Sequence, residues 1–120
     1  MDKILIVEDE AIIALDLKME LGGLGYEVIG TADNGLDAIN MAKEHLPDVA
    51  LMDIKLKGTI DGVEAAEIIS EFGVGIVYLT ANTDKGTHER INGEHPIISK
   101  PFDIDKLDQT LKDVIKQNKE

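Results

Sequence analysis

Five polar side chains in this 120-residue sequence each come after a short apolar run: Glu8, Asp9, Asp53, Thr80 and Lys100. Two carboxylates about 4 Å apart repel by roughly 4 kcal/mol at an effective dielectric constant of about 20, so three of them need a compensating cation if they lie together. Mg²⁺ fits best, because it takes oxygen ligands and commonly bridges carboxylates to a phosphoryl group. These residue types therefore indicate a site where Mg²⁺ and a phosphoryl group could meet.

Asp53 is the candidate nucleophile of this set. The preceding residues, Val49 to Met52, are apolar enough for a strand buried on both faces, so the carboxylate would lie at the rim of a core. Carboxylates form aspartyl-phosphates when a metal and a cation offset the charge. Lys100 would pair with a phosphoryl oxygen and Thr80 would donate a hydrogen bond to it. The set is typical of phosphoryl transfer to an aspartate.

Each residue also has a purely structural interpretation. Glu8 and Asp9 would be stabilised at the positive end of a helix that follows them, Thr80 would close a strand, and Lys100 would neutralise acidic neighbours. Either acid taken alone fits that interpretation better. Their convergence with Asp53 and Lys100 favours a shared site.

Apolar runs of strand length alternate with helix-period segments from one end of the chain to the other. Strands are predicted at 3–7, 26–31, 47–53, 75–80 and 97–99. Helices are predicted at 10–21, between the cap Asn34 and the stop Pro47, after Gly62, at 82–93, and after the cap Asp103. This alternation predicts an α/β fold with a parallel sheet between helices, which brings the five polar residues to one edge.

Apolar stripes predict which helix faces pack on the sheet. The first two helices would bury Ile12, Ile13, Leu15, Leu17, Met19 and Leu21, and Leu36, Ile39, Ala42 and Leu46, with Gly22-Gly23 ending the first helix. The segment 82–93 has one large apolar residue, Ile91, and contains Gly86. We therefore expect that helix to be weakly anchored.

Composition limits the classes of partner. Twenty-four acidic residues against twelve basic ones give a formal net charge of −12, which argues against direct nucleic-acid or membrane binding and favours divalent cations or basic partners. Most of the acidic residues are expected to form a solvated surface. The absence of cysteine and of any spanning-length or signal-peptide segment suits a cytoplasmic domain, and we expect one domain over residues 1–120.

Together the motifs resemble the receiver domain of two-component response regulators. They are Ile4-Leu5-Ile6-Val7-Glu8-Asp9-Glu10, Asp48-Val49-Ala50-Leu51-Met52-Asp53, Asp61-Gly62, Thr80-Ala81 and Lys100-Pro101-Phe102. The resemblance implies a flavodoxin-like, doubly wound, five-stranded parallel sheet of order 2-1-3-4-5 with five helices. It also implies that Asp53 accepts a phosphoryl group from the phosphohistidine of a sensor histidine kinase or phosphotransfer domain. A downstream output domain or protein would then read the modified surface, so the domain would be a signalling module that catalyses only its own phosphorylation and dephosphorylation.

The resemblance further implies a ligand set and a switch. Asp9, Asp53 and the backbone carbonyl of Lys55 would bind Mg²⁺ directly, while Glu8 would act mostly through water. Thr80 would move toward the phosphoryl group, and the bond between Lys100 and Pro101 would be cis. The sequence departs from the family pattern at Ile97, where an aromatic residue usually turns inward, and the segment 82–93 is about two residues short. Thr80 and that segment would then carry the signal.

Two other function classes compete with this interpretation. Phosphatases of the haloacid-dehalogenase type also form an aspartyl-phosphate. They require a second aspartate two residues after the nucleophile, where this chain has Lys55. That difference argues against a turnover enzyme. A pseudo-receiver that acts only as a protein-interaction module remains the alternative, which the complete acidic set disfavours and Ile97 supports.

Overall fold

The structure is a computed structural model that describes residues 2–54, 56, 58, 60–80, 95–100 and 102–119. Its strands are β1 (Lys3–Val7), β2 (Glu27–Ala32), β3 (Val49–Asp53), β4 (Gly75–Thr80) and β5 (Ile97–Ser99). All pairs are parallel and the order is β2-β1-β3-β4-β5, which confirms the predicted flavodoxin-like sheet. The described helices are α1 (Ala11–Gly23), α2 (Gly35–His45), α3 (Gly62–Ser70) and α4 (Ile104–Lys119). The further helix predicted at 82–93 lies outside the described residues.

The sheet separates two apolar layers. Alternate residues of the central strands point to opposite faces: Leu5 and Ala50 contribute to the layer under α2 and α3, and Ile4 and Leu51 to the layer under α1 and α4. Every residue of β3 is buried, because helices cover both faces of a doubly wound sheet. The buried strand that ends in Asp53 is therefore the central strand of the sheet, with an apolar layer on each face.

Side-chain caps begin three helices, of which the sequence predicts two, at Asn34 and Asp103. Asn34 accepts a hydrogen bond from the backbone N–H of Asp37 at 2.9 Å, and Asp103 accepts one from Asp105 at 3.0 Å. Asp61 accepts one from the N–H of Glu64 at 2.9 Å. Each cap satisfies a backbone donor that the first helical turn leaves unpaired.

The predicted inner faces of α1 and α2 need correction. Ala14, Leu17 and Leu21 of α1 are buried as its core face, and Ile13 packs, partly buried, beside them. Three other residues of the predicted stripe point outward: Ile12, Leu15 and Met19 are 84%, 58% and 68% exposed. In α2 the small residues Ala38 and Ala42 face the sheet, and Leu36 and Leu46 are exposed. The cause in α1 is that apolar residues surround the helix, while the sheet covers only one side.

The end of α1 also differs from the prediction. Gly22 and Gly23 lie inside the helix, and the chain turns at Gly25, whose φ is +97°. That left-handed conformation favours glycine, since it has no Cβ. Among the described residues, no helix is long and apolar enough to cross a membrane.

Candidate functional site

The carboxyl ends of four neighbouring strands bring the predicted residues to one edge of the sheet. Val7 pairs with Met52, and Asp53 pairs with Leu79, so the ends of β1, β3 and β4 are level. The backbone N–H of Lys100 donates to the carbonyl of Thr80 at 2.8 Å, which continues the β4–β5 ladder past its last pair. In open α/β sheets this edge is where ligands bind.

Three carboxylates meet there as predicted. Glu8, Asp9 and Asp53 each present a carboxylate oxygen, and these oxygens all lie within 4.8 Å of one another. Glu8 is 2% exposed and Asp53 is 7% exposed, whereas Asp9 is half-buried. The cluster therefore runs from the buried end of the sheet to its rim, where a solute can reach it.

Lys100 supplies the positive charge of the cluster. Its Nζ donates to Oε2 of Glu8 at 3.1 Å and lies 3.6 Å from Oδ2 of Asp53. The Lys100 side chain is 18% exposed, so water screens these ion pairs little. Lys100 thus offsets part of the negative charge, and an ammonium at this distance from Asp53 could also pair with an anion placed there.

Burial and a neighbouring charge shift the pKa of Glu8. Burial, followed by the neighbouring carboxylate of Asp53, raises the pKa of Glu8 to about 7, and Lys100 acts in the opposite direction. Desolvation and like charge both disfavour the ionised form, and the single ammonium compensates them only in part. The site therefore has an excess of negative charge.

The donor atoms fit a hard divalent cation. Oε1 of Glu8 is buried and has no hydrogen-bond partner among the described residues. A buried acceptor of this kind is costly unless a cation or a donor satisfies it. The cluster offers only carboxylate oxygens, the ligands that Mg²⁺ prefers. Lys55, the predicted carbonyl ligand, lies outside the described residues.

Of the two predicted switch residues, Thr80 lies at the carboxyl edge of the sheet and Ile97 lies at the start of β5. Thr80 is the last residue of β4 and is 2% exposed. Ile97 begins β5 opposite Tyr78 and packs, partly buried, against the apolar layer under α2 and α3. Pro101, where the cis peptide bond is predicted, and the segment 82–93 lie outside the described residues.

Gly62 positions the end of β3, which the sequence pattern did not reveal. Its backbone N–H donates to the carbonyl of Ile54 at 3.1 Å. A Cβ on Gly62 would overlap the carbonyl oxygen of Asp53 and lie 2.8 Å from Cα of Ile54. Helix α3 can therefore begin against the backbone of Asp53 only with glycine at this position. The pair Asp61-Gly62 was the available signal, but it indicates a helix start equally well.

A cleft of about 610 Å³ opens from the site between α1 and α2. Its lining residues come from both helices and from the ends of β1 and β2; they are Glu8, Asp9, Ala11, Ala14, Leu15, Lys18, Thr31, Ala32, Asp33, Asp37, Asn40 and Met41. Because Glu8 and Asp9 belong to this lining, the carboxylate cluster is continuous with the cleft.

A parallel sheet of this order, with an acidic cluster and a lysine at its carboxyl edge, defines a class of signalling domain. The model of the family described as the response regulator receiver domain matches residues 4–112. The chain belongs to the response regulator receiver domain family of two-component signalling. The resemblance found in the sequence motifs is thereby confirmed.

Relatives with curated names are regulators. The chain is 41% identical over 108 residues to the transcriptional regulatory protein PdtaR of Mycobacterium tuberculosis, covering 88% of this chain and 52% of that protein. It is 34% identical over 115 residues to the polar-differentiation response regulator DivK of Brucella anthropi, covering 91% of this chain and 92% of DivK. The chain thus spans about half the length of PdtaR and most of DivK.

Solved structures show the same fold. The signal receiver domain of a modulated diguanylate cyclase from Desulfovibrio desulfuricans G20 superimposes with a TM-score of 0.93 at 35% identity, covering 99% of this chain and 97% of that one. The receiver domain of a sensor histidine kinase from Pseudomonas aeruginosa PAO1 gives 0.84 at 30% identity, covering 96% and 98%. The latter structure has a magnesium ion coordinated in its active site cleft.

Proposed function

We propose that Asp53 is the phosphoacceptor of a two-component phosphorelay. Its donor is the phosphohistidine of a sensor histidine kinase or phosphotransfer domain, and its modification changes a surface that an output domain or protein reads. The observation that carries the proposal is a nearly buried carboxylate at the end of β3, with Lys100 3.6 Å away and two further carboxylates beside it. A purely structural aspartate would not require this arrangement.

The transfer uses groups that the fold already holds in place. A carboxylate oxygen of Asp53 forms the new O–P bond while the P–N bond to the donor imidazole breaks, and the imidazole nitrogen keeps the electron pair. Lys100 neutralises charge on the phosphoryl oxygens, and the Thr80 hydroxyl donates a hydrogen bond to one of them. Positioning and charge stabilisation of this kind supply most of the catalysis in phosphoryl transfer.

Glu8, Asp9, Asp53 and the carbonyl of Lys55 are the residues that would hold Mg²⁺. When bound, Mg²⁺ supplies positive charge that offsets the repulsion between the carboxylates and the phosphoryl oxygens. The buried Oε1 of Glu8 supports this assignment, because it is an acceptor without a partner among the described residues.

The output signal would start at Thr80. Its movement toward the phosphoryl group would pull on the β4–β5 ladder, to which it is joined by the hydrogen bond from Lys100. Ile97 is aliphatic and already packs against the core, so no ring rotation can report the event. The signal would pass through backbone displacement at the ends of β4 and β5.

Acetyl phosphate with Mg²⁺ tests this proposal. We expect the wild-type chain to gain one phosphoryl group by intact mass spectrometry, and Asp53→Asn to gain none. Asp48→Asn is the matched control, since Asp48 lies just before β3 at the opposite edge and binds the backbone N–H of Lys3 at 2.7 Å; it should gain phosphate like wild type. Failure of the wild type to gain phosphate would favour the pseudo-receiver alternative, and phosphate on Asp53→Asn would show that Asp53 is not the acceptor.

A further inference from the structure

The cleft between α1 and α2 is larger than a metal ion requires. Its volume is about 610 Å³, which lies in the range of pockets that hold small organic molecules. A divalent ion with six waters takes roughly 180 Å³, at about 30 Å³ for each water. The cleft continues from the carboxylate cluster past the end of β2 to the first turns of α2, so most of its space lies beyond the cluster.

A second acidic pair lines this cleft outside the carboxylate cluster. Asp33 directly follows β2, and Asp37 lies in the first turn of α2. The side chain of Asn34 joins the two carboxylates, because its Nδ2 donates to Asp33 at 2.7 Å and to Asp37 at 2.9 Å. Among the described residues that line the cleft, Lys18 is the only base. The cleft therefore attracts cations at two places.

Apolar side chains form much of the remaining lining. Ala11 and Ala14 come from α1, Ala32 from β2 and Met41 from α2. The alanines are small and the methionine is flexible, so a slender hydrocarbon chain can pack against them. A second hydrated ion would gain nothing from this surface, whereas methylene groups would be removed from water there.

Glu8 adds an unsatisfied acceptor to the cleft. Its side chain is buried, and Lys100 donates to Oε2 at 3.1 Å, whereas Oε1 has no hydrogen-bond partner among the described residues. A buried acceptor is costly until a donor or a cation reaches it. A primary ammonium carries three N–H donors, so it can satisfy Oε1 and also donate to Asp9, whose carboxylate lies within 4.8 Å of that of Glu8.

We propose that the cleft between α1 and α2 binds a linear aliphatic diamine. One ammonium donates to Glu8 and Asp9, the methylene chain lies on the apolar lining, and the other ammonium pairs with Asp33 and Asp37. A lysine side chain of another protein is a poorer occupant, because it brings one ammonium to a cleft with two acidic groups. The diamine would also compete with Mg²⁺ for the carboxylate cluster; that consequence alone rests on the proposed function.

Calorimetric titration of the full chain in magnesium-free buffer tests the proposal without any phosphorylation. The probe is 1,6-diaminohexane. Hexamethonium is the first control, since it has the same spacer and charge but no N–H to donate, and n-hexylamine is the second, with one ammonium as in lysine. The diamine should bind more tightly than either control by about tenfold or more. Equal binding of hexamethonium, equal binding of n-hexylamine, or no binding of the diamine overturns the proposal.

Variants then separate binding in the cleft from general attraction to an acidic protein. Asp33→Asn and Asp37→Asn should each weaken binding of 1,6-diaminohexane by about tenfold. Asp16→Asn is the matched control, because it removes the same charge from an exposed position of α1 outside the cleft lining, and it should leave binding unchanged. Equal loss in all three variants, or no loss in the first two, overturns the proposal. Neither result depends on whether Asp53 accepts phosphate.

Discussion

The carboxylate of Glu8 is buried in the fold and has almost no contact with water. Its pKa of about 7 lies above its ordinary value of 4.5. Between these two pH values, the folded chain therefore keeps a proton on Glu8 that the unfolded chain has released. The resulting stabilisation is fully present below pH 4.5 and is lost as the pH rises through 7. Without a metal, the site therefore destabilises the fold at neutral and alkaline pH.

Replacing Glu8 with glutamine should remove this pH dependence. In the presence of a chelator, the wild-type free energy of unfolding should fall from pH 5 to pH 8 by about 2 kcal/mol more than that of Glu8→Gln. Urea denaturation at the two pH values measures the difference. Glu10→Gln, the same chemical change on an exposed neighbour, is the control and should follow wild type. Parallel curves for Glu8→Gln and wild type would show that Glu8 ionises normally.

The start of α3 is closely packed against the end of β3, the strand that ends in Asp53. Gly62→Ala should lower the free energy of unfolding by about 2 kcal/mol, because the new methyl group overlaps backbone atoms of Asp53 and Ile54 that cannot move aside easily. It should also slow phosphate uptake from acetyl phosphate, since Asp53 must shift. Denaturation and mass spectrometry check the two effects.

Gly22→Ala is the matched control for that substitution. Gly22 lies in the last turn of α1, and a Cβ there meets nothing within 4 Å. Alanine should raise the free energy of unfolding by about 0.5–1 kcal/mol, because it favours the helix. Equal effects of the two substitutions would mean that the packing at Gly62 is not specific.

Tyr26 connects the start of β2 to α4. Its hydroxyl donates to Oδ1 of Asp108 at 2.5 Å, and this hydrogen bond, more than the ion pair from Lys112, lowers the pKa of the Asp108 carboxyl. A lowered pKa contributes stability above the ordinary value of 3.8 that is lost as the pH falls through the folded pKa. The contact thus stabilises the attachment of α4 at neutral pH and weakens in acid.

Tyr26→Phe should lower the free energy of unfolding at pH 7 by about 1.5 kcal/mol, the typical contribution of a hydrogen bond to a charged group. The difference in the free energy of unfolding between Tyr26→Phe and wild type should shrink as the pH falls below 3.8, because a protonated Asp108 carboxyl no longer accepts a hydrogen bond strengthened by its charge. Thermal unfolding across this pH range gives the measurement. A difference that stays constant with pH would assign the loss to packing.

Helices and strands were predictable where a single local sequence pattern determines them. The apolar run before Asp53 predicts a buried strand, and Asn34 and Asp103 mark helix starts. The orientation of α1 was not predictable, because its apolar residues surround the helix and period alone cannot choose a face. Side-chain partners between distant segments were equally out of reach: the contact between Tyr26 and Asp108 spans 82 residues.

Strand order predicts that the site residues share one edge of the sheet, but it does not predict the distances between their side chains. The common edge of Glu8, Asp53 and Lys100 follows from parallel topology. Which carboxylate Lys100 contacts more closely depends on side-chain packing, and it is Glu8, at 3.1 Å, before Asp53, at 3.6 Å. The raised pKa of Glu8 likewise depends on burial that only the assembled fold produces.

The net charge of the whole molecule affects stability in addition to the local repulsion within the carboxylate cluster. At −12 the chain repels itself, so sodium chloride at physiological concentration should raise the melting temperature above its value at low salt by screening. MgCl₂ at equal ionic strength should raise it further, because a ligand that binds only the folded state stabilises it.

Asp53→Asn separates the two contributions. It should keep the response to sodium chloride and lose most of the additional response to MgCl₂, as measured by thermal unfolding at matched ionic strength. An identical response to both salts in the wild type would mean that the cluster binds no Mg²⁺ specifically.

The position of Lys100 also bears on how the protein matures. Because its ammonium already lies between Glu8 and Asp53, the acidic cluster contains a counterion supplied by the polypeptide itself. With Mg²⁺ bound as proposed, folding and metal loading would be separate events, unlike in small zinc domains, where the metal is needed for the fold. A newly made chain would then reach its native structure without Mg²⁺, and chelation should empty the site without unfolding the protein.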